Sequence, residues 1–258
     1  MSRYEPQIHS SFLVDIAMGK VPGYSYINKF GHNPAVATGG EDIWAGGGAY
    51  GFYPTTAQAM EIVSSEAADD GDPAGTGART VKVYGLDANW EEIDETVTLN
   101  GTTAVNLTNS YIRVYRAEVL TAGTAETNVG NISIRIQTGG TVGAYISAGD
   151  GQTQQAIFTI PAGKCGFFIK GYVGIADSGK EAETAGFQWK IRPNNGTTGA
   201  WQTKGQISLV TLGSSHWQYE YGIPAGPIPP KSDIKIECFE TSTEMGVVAG
   251  MDILMVTV

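Results

Sequence analysis

Four carboxylates, Glu91, Glu92, Asp94 and Glu95, crowd one short segment, and a carboxylate pair across a glycosidic bond is the machinery of glycoside hydrolysis. Along EEIDETVTL, however, residues two apart share a strand face, so the group reads as a charged rim at a solvated strand entry. His9, His32 and His216 are the only histidines, and none stands in an HExxH pattern, a Cys/His zinc spacing or a nucleophile elbow. His216 follows Ser214 and Ser215, but SSHWQYE reads as the start of a strand rather than a Ser-His pair, and His32 in FGHNP fixes a turn. Gly46, Gly48 and Gly51 spell a formal GxGxxG, yet Phe52, Tyr53 and Pro54 follow where a dinucleotide site needs a helix, so the motif is a Gly-rich turn. Asp69, Asp70 and Asp72 form an acidic loop without the spacing or distal Glu of a calcium loop, and they read as a solvated turn. These readings predict no catalytic, cofactor-binding or metal-binding residues and no enzyme.

Large rings offer a different chemistry. Trp90, Trp201 and Trp217, with Tyr219 and Tyr221, have faces that can stack on sugar rings if loops present them to solvent, as in carbohydrate-binding modules. The competing reading places such rings in the core or in a subunit contact.

The elements that must position these residues are strands. From Gly75 to Ile136 apolar and polar residues alternate and break at short turns rich in Gly, Asn and Asp: Val81, Val83 and Leu86 share a face, DAN turns the chain, Val97 and Leu99 resume, and Asn100-Gly101 turns it again. Further strands are expected at 142–147, 155–160, 165–175, 187–191, 207–212, 217–221, 234–240 and 247–258, with turns at PAGK, PNNGTTG, LGSS and PAGPIPPKSD. Only residues 57–68 (AQAMEIVSSEAA) look helical by propensity, although MEIVSS also suits a strand. Thirty-five glycines and 16% charged residues fit many short strands joined by tight turns. The expected fold is all-β, an antiparallel, jelly-roll-like β-sandwich spanning 61–258. Residues 1–60 interleave aromatics with Gly and Pro without a sustained period and read as an extended N-terminal arm, whose rings Tyr24, Tyr26, Phe30, Trp44, Tyr50 and Phe52 are candidates for contact with a neighbouring subunit.

The formal charge of −10, with Lys and Arg scattered, argues against nucleic acid as a partner, because phosphate contacts need clustered positive charge. Cys165 and Cys238 fall in strand-like segments and are expected to be reduced core residues, with a disulfide between them geometrically open. No stretch has the length of a membrane span or a signal-peptide core, so synthesis in the cytoplasm is expected. The Asn-x-Ser/Thr matches at Asn100, Asn106, Asn131 and Asn195 follow from a Thr-rich composition.

The ordered blocks GKVPGYSYINKFGHNP, EDIWAGGGAYGF and GTGARTVKVYGLDANWEEIDETVTLNG, within roughly residues 19–135, resemble a family of tailed-bacteriophage virion structural proteins. The resemblance implies a particle component without assigned enzymatic activity; residues from Thr141 onward resemble nothing familiar and are read alone. The resulting expectation is a capsid decoration or cement protein on the outer capsid surface of the virion. Its partners would be the major capsid protein and copies of itself, as a homotrimer, with no nucleic acid and no membrane. A tail or neck adaptor or fibre-associated protein, and a carbohydrate-binding module using Trp90, Trp201 and Trp217, are the alternatives.

Overall fold

The computed structural model describes residues 12–177, 182–193, 199–211 and 215–258. One short helix, α1 (Phe12–Ala17), precedes strands β1 (Tyr24–Val36), β2 (Glu41–Asp42), β3 (Gln58–Ser64), β4 (Ala78–Leu86), β5 (Glu92–Thr98), β6 (Val105–Tyr111), β7 (Arg113–Ala122), β8 (Ile132–Ile136) and β9 (Val142–Ile146). The chain continues through β10 (Ile157–Thr159), β11 (Lys164–Asp177), β12 (Glu183–Pro193), β13 (Gln202–Thr211), β14 (Ser215–Ile228), β15 (Ser232–Thr241) and β16 (Met245–Thr257). The all-β antiparallel architecture expected from the alternation is therefore what forms.

The strands make two sandwiches. In the larger, one sheet runs β1-β16-β11-β14 and the other β10-β15-β12-β13, with β2 also on β15. Its pairs are nested: first with last (β1 with β16), then β2 and β10 with β15, β11 with β14, and β12 with β13. That nesting is a long antiparallel ribbon rolled up on itself, the jelly-roll arrangement. Its core holds Ile43, Phe158, Phe187, Ile234, Ile236, Val247, Met251 and Ile253. The second sandwich is inserted between β2 and β10 and pairs only within itself, as sheets β6-β3-β8-β9 and β5-β4-β7. Met60, Ile62, Val81, Val83, Leu99, Ile132, Ile134 and Ile146 form its separate core. Each such side chain removed from water stabilises its sandwich by about 1.5–3 kcal/mol.

Three segments differ from the sequence expectation. Residues 58–64 form β3 and not a helix, because Met60 and Ile62 fit the core between β6 and β8, and burial outweighs a weak propensity. The aromatic segment before residue 60 is only partly arm-like: Tyr24–Val36 pairs with β16 from Tyr24↔Val256 onward, and Val36 and Ile43 belong to the larger core. The jelly roll thus begins at residue 24 and the boundary at 60 does not separate an arm from it. Residues 224–228, expected as a turn, continue β14, whose Ala225 and Ile228 pair with Phe168 and Gly166 of β11. The LGSS and PNNGTTG turns lie largely outside the described residues, as does His9.

Candidate functional site

Where the sandwiches meet, the sequence places charge in the interior. Arg113 opens β7 and Asp233 lies near the start of β15; the guanidinium donates to the carboxylate through Nε at 2.7 Å and through an Nη at 3.0 Å. Arg192 of β12 donates to the same Asp233 oxygen at 2.6 Å, and Thr159 Oγ1 donates to the other at 2.7 Å. A carboxylate so enclosed survives burial because every direction it faces holds a donor. Rings complete the shell: Arg113 lies 4.8 Å from the Trp90 centroid, and Arg192 lies 4.3 and 4.7 Å from those of Tyr53 and Trp201. Lys235 extends the network, 5.0 Å from Trp201 and bonded to Asp42 at 2.6 Å and Glu237 at 2.8 Å. Burial pushes the Tyr53 phenol well up, with Asp233 and Asp42 adding to the shift. Chemically this seam is a clamp, since its charges are spent on each other.

The rings singled out in the sequence do not gather at one site. Trp44, Tyr50 and Phe52 are buried in the core of the inserted sandwich, Phe52 at 1% exposure, so their surfaces are used within this chain and not against a neighbour. Trp44 donates from Nε1 to the Gly48 carbonyl, and a Cβ on Gly46 would stand 2.4 Å from the Trp44 ring, so the formal GxGxxG is the wrapping of an indole. Phe30 is half-buried on β1, whereas Tyr24 and Tyr26 are exposed. Trp90, expected on an exposed turn, is 7% exposed: at φ 67 it closes the turn after β4 and packs under Arg113. Trp201 belongs to the clamp, whereas Trp217 and Tyr219 face an open hollow. Tyr221 has no described side chain.

That hollow lies where β11 and β14 of one sheet face β12 and β13 of the other. Trp217 and Tyr219, two apart on β14, share a face, and their rings stack with centroids 5.8 Å apart and planes 7° off parallel. Trp189 of β12 meets Trp217 edge-on at 5.5 Å. A glycine makes room for it: a Cβ on Gly171 would lie 3.0 Å from Trp189 Nε1, whereas one on Gly205 would stand at an ordinary 3.7 Å from its ring. With Phe168, Lys170 and Gln206 these residues line a cavity of about 260 Å³. A second hollow of about 490 Å³ shares Phe168 and Trp189 and continues past Ile191, Gln202, Lys204 and Pro227. Trp189 and Gly171 went unremarked in the sequence, because they lie on strands of different sheets and only the fold brings them together.

The remaining candidates have local roles. Asp69 is fully buried and not solvated: it accepts from the Ala78, Val129 and Gly130 amides, each at 2.8 Å, and from Ser64 Oγ at 2.6 Å. Asp70 accepts from the Asp72 amide at 2.9 Å. In the acidic hairpin Glu95 accepts from the Thr108 and Asn109 amides and the Tyr111 hydroxyl, while Lys82 pairs with Asp94 and Lys164 with Glu92. Burial raises the Tyr111 phenol, and its bond to Glu95 raises it further. His216 stands in β14 opposite Gly174, and His32 in β1 opposite Val248. Cys165 and Cys238 are both free. Among the described residues no group of three His, Cys, Asp or Glu side chains is placed to hold a metal ion, and no helix is long and apolar enough to cross a membrane.

No family model and no curated protein matches this chain. Among solved structures it is similar to one of the infectious bursal disease virus Gt strain, with 14% identity over 96% of this chain and 78% of that chain and a TM-score of 0.26. A structure of the Gx strain gives 10% identity over 99% and 79% of the two chains, again with a TM-score of 0.26. At scores this low the likeness decides nothing about function.

Proposed function

We propose that this chain is a tailed-phage virion structural protein that acts without chemistry, a decoration or cement protein strengthening the outer capsid through contacts with the major capsid protein and with copies of itself. The observation that carries this reading is an apolar patch left in solvent at the start of the jelly roll. Phe12, Leu13, Val14 and Met18, the last 61% exposed, stand beside Tyr24 and Tyr26 of β1, and the Phe12 and Tyr24 rings meet at 5.5 Å. Clustered large apolar side chains on a soluble surface mark interaction sites, and this patch is carried on a segment that leaves the sheet. The jelly roll supports the reading as a topology used in viral capsids, although lectins and cupins share it. The resemblance of residues 19–135 to phage particle proteins points the same way.

Copy number tests it. Quantitative mass spectrometry of purified particles is expected to give a ratio near one chain per major capsid subunit; a few copies per hundred subunits would place the chain in the tail or neck, and absence would overturn the virion role. Removing residues 1–23, which leaves β1 intact, is expected to preserve the strand signal in circular dichroism and abolish particle attachment. Attachment at the wild-type level would overturn the role of the patch.

A further inference from the structure

We propose that the folded chain joins Asp42 to Lys235 through an isopeptide bond, with Glu237 carrying the proton. The reaction occurs once per chain, takes no external substrate and is independent of where the chain sits in a particle. Two strands brought together only by the fold supply the groups. β2 pairs Glu41 and Asp42 with Cys238 and Glu237 of β15, so Asp42 and Glu237 are direct cross-strand neighbours on one face, and Lys235, two positions along β15, shares that face. Lys235 Nζ lies 2.6 Å from Asp42 Oδ1 and 2.8 Å from Glu237 Oε2. The Asp42 side chain is 3% exposed and the other two 13%, and the Trp201 ring lies 5.0 Å from Nζ. An amine held against a carboxyl in this way reacts at the effective concentration of an intramolecular pair, with little water to compete.

Each step of the condensation has its group in place. One ammonium proton passes along the 2.6 Å bond to Asp42 Oδ1, a transfer favoured by the burial that raises this carboxyl. The freed electron pair of Nζ attacks Cγ, and the charge driven onto Oδ2 is met by the Tyr50 amide, which already donates there at 2.8 Å. Burial works upward on the Glu237 carboxyl, but bonds from Lys190 and Lys235 prevail and keep it ionised. Glu237 therefore takes the second proton from Nζ and gives it to Oδ1; the Cγ–Oδ1 bond breaks, one water leaves, and the third hydrogen stays on the amide nitrogen. Nothing is oxidised or reduced, and Glu237 ends as it began. A cavity of about 220 Å³ beside these residues, lined also by Gly40 and Ala49, is the way out for the water. The bond ties positions 193 apart and closes a loop that contains the whole inserted sandwich, holding β2 where only two residue pairs attach it to β15.

Mass spectrometry of the purified full chain is expected to give the sequence mass less one water. Trypsin should then release Phe30–Arg79 joined to Ser232–Val258, since an acylated Lys235 is no longer cleaved. On a denaturing gel the closed loop should make the wild type run ahead of Lys235→Arg, which cannot form the bond. Glu237→Gln is expected to slow joining about 100-fold or more, leaving the full mass in freshly made protein whose circular dichroism is unchanged. A wild type that keeps the full sequence mass after prolonged incubation would overturn the proposal. So would a water deficit that resides in a succinimide at Asp70-Gly71 or Asp150-Gly151 with the two tryptic peptides separate, or complete joining in a folded Glu237→Gln protein.

Discussion

Arg113 and Asp233 stand 120 positions apart in the chain and are joined by two hydrogen bonds of 2.7 and 3.0 Å, with both side chains almost wholly out of water. One belongs to the inserted sandwich and the other to the jelly roll, so this ion pair is one of the contacts that join the two units, with Lys164–Glu92 and the Tyr115–Phe158 ring pair. Buried ion pairs contribute little net stability against an apolar alternative, but losing one partner strands the other.

Arg113→Ala therefore costs about 3–5 kcal/mol in urea-induced unfolding, because Asp233 keeps its burial and loses its fork of donors. Arg113→Lys recovers little of this, since one ammonium cannot reproduce the two-pronged fork and loses the guanidinium's contact with the Trp90 ring. Equal midpoints for the wild type and Arg113→Lys would show that the fork geometry is immaterial.

Asp69 ties the end of β3, the start of β4 and the loop before β8 together through three backbone amides and one hydroxyl. Asp69→Ala is expected to cost about 3 kcal/mol, as it leaves those donors buried without an acceptor. Because the carboxylate oxygens are occupied by these donors, millimolar calcium should leave the thermal midpoint of the wild type unchanged, which calorimetry reads directly.

Gly31 sits in β1 where a Cβ would lie 2.3 Å from the Ile43 carbonyl oxygen and 2.5 Å from the Ala156 amide nitrogen. Both obstacles are backbone and cannot swing aside. Gly31→Ala is expected to destabilise by about 3 kcal/mol or more and to lower soluble expression, and a midpoint within about 0.5 kcal/mol of wild type would contradict the close approach.

Titration of tyrosines and glutamates should lower stability above about pH 10 and below about pH 5. On the alkaline side, burial raises the phenols of Tyr50, Tyr53, Tyr111 and Tyr115, and Tyr84 is pushed up to about 12 by burial and its bond to Glu118. The folded state then holds protons that the unfolded chain gives up near pH 10, so stability present below that pH is lost above it. On the acid side, the Arg135 hydrogen bond lowers the Glu61 carboxyl; for Glu237, burial works upward but bonds from Lys190 and Lys235 prevail and lower it. Stability contributed above the ordinary Glu value is lost as these groups protonate. Urea midpoints measured from pH 3 to 11 check both limbs, and a rise above pH 10 would contradict the tyrosine account.

Local chemistry was legible in the sequence wherever partners are near in the chain. The DAN and Asn100-Gly101 turns bound β5, and the alternation of Val81 and Val83 marked the face that fills the inserted core. Partners far apart left no local mark. β1 looked like an arm because its partner, β16, lies at the other end of the chain, and β3 looked helical because nothing in MEIVSS announces β6 and β8 on either side. The same limit governed the site: Trp217 was recognisable as a ring on a strand, but its neighbour Trp189 and the space left by Gly171 are properties of three strands brought together. Trp90 and Trp44 misled because a ring in a Gly- or Asn-rich turn suggests exposure, while the turns here fold the rings inward.

The pairing of Tyr24 with Val256 has a consequence for the order of synthesis. A ribosome adding roughly 5–20 residues per second releases β1 well before the strand that must cover it, which lies more than 200 residues further along. The inserted sandwich, whose partners all lie between residues 58 and 146, is complete long before that and folds while the jelly roll waits. For on the order of ten seconds or more β1 stands as an uncovered edge, with Lys29 and Asn33, which are buried in the finished protein, still in water.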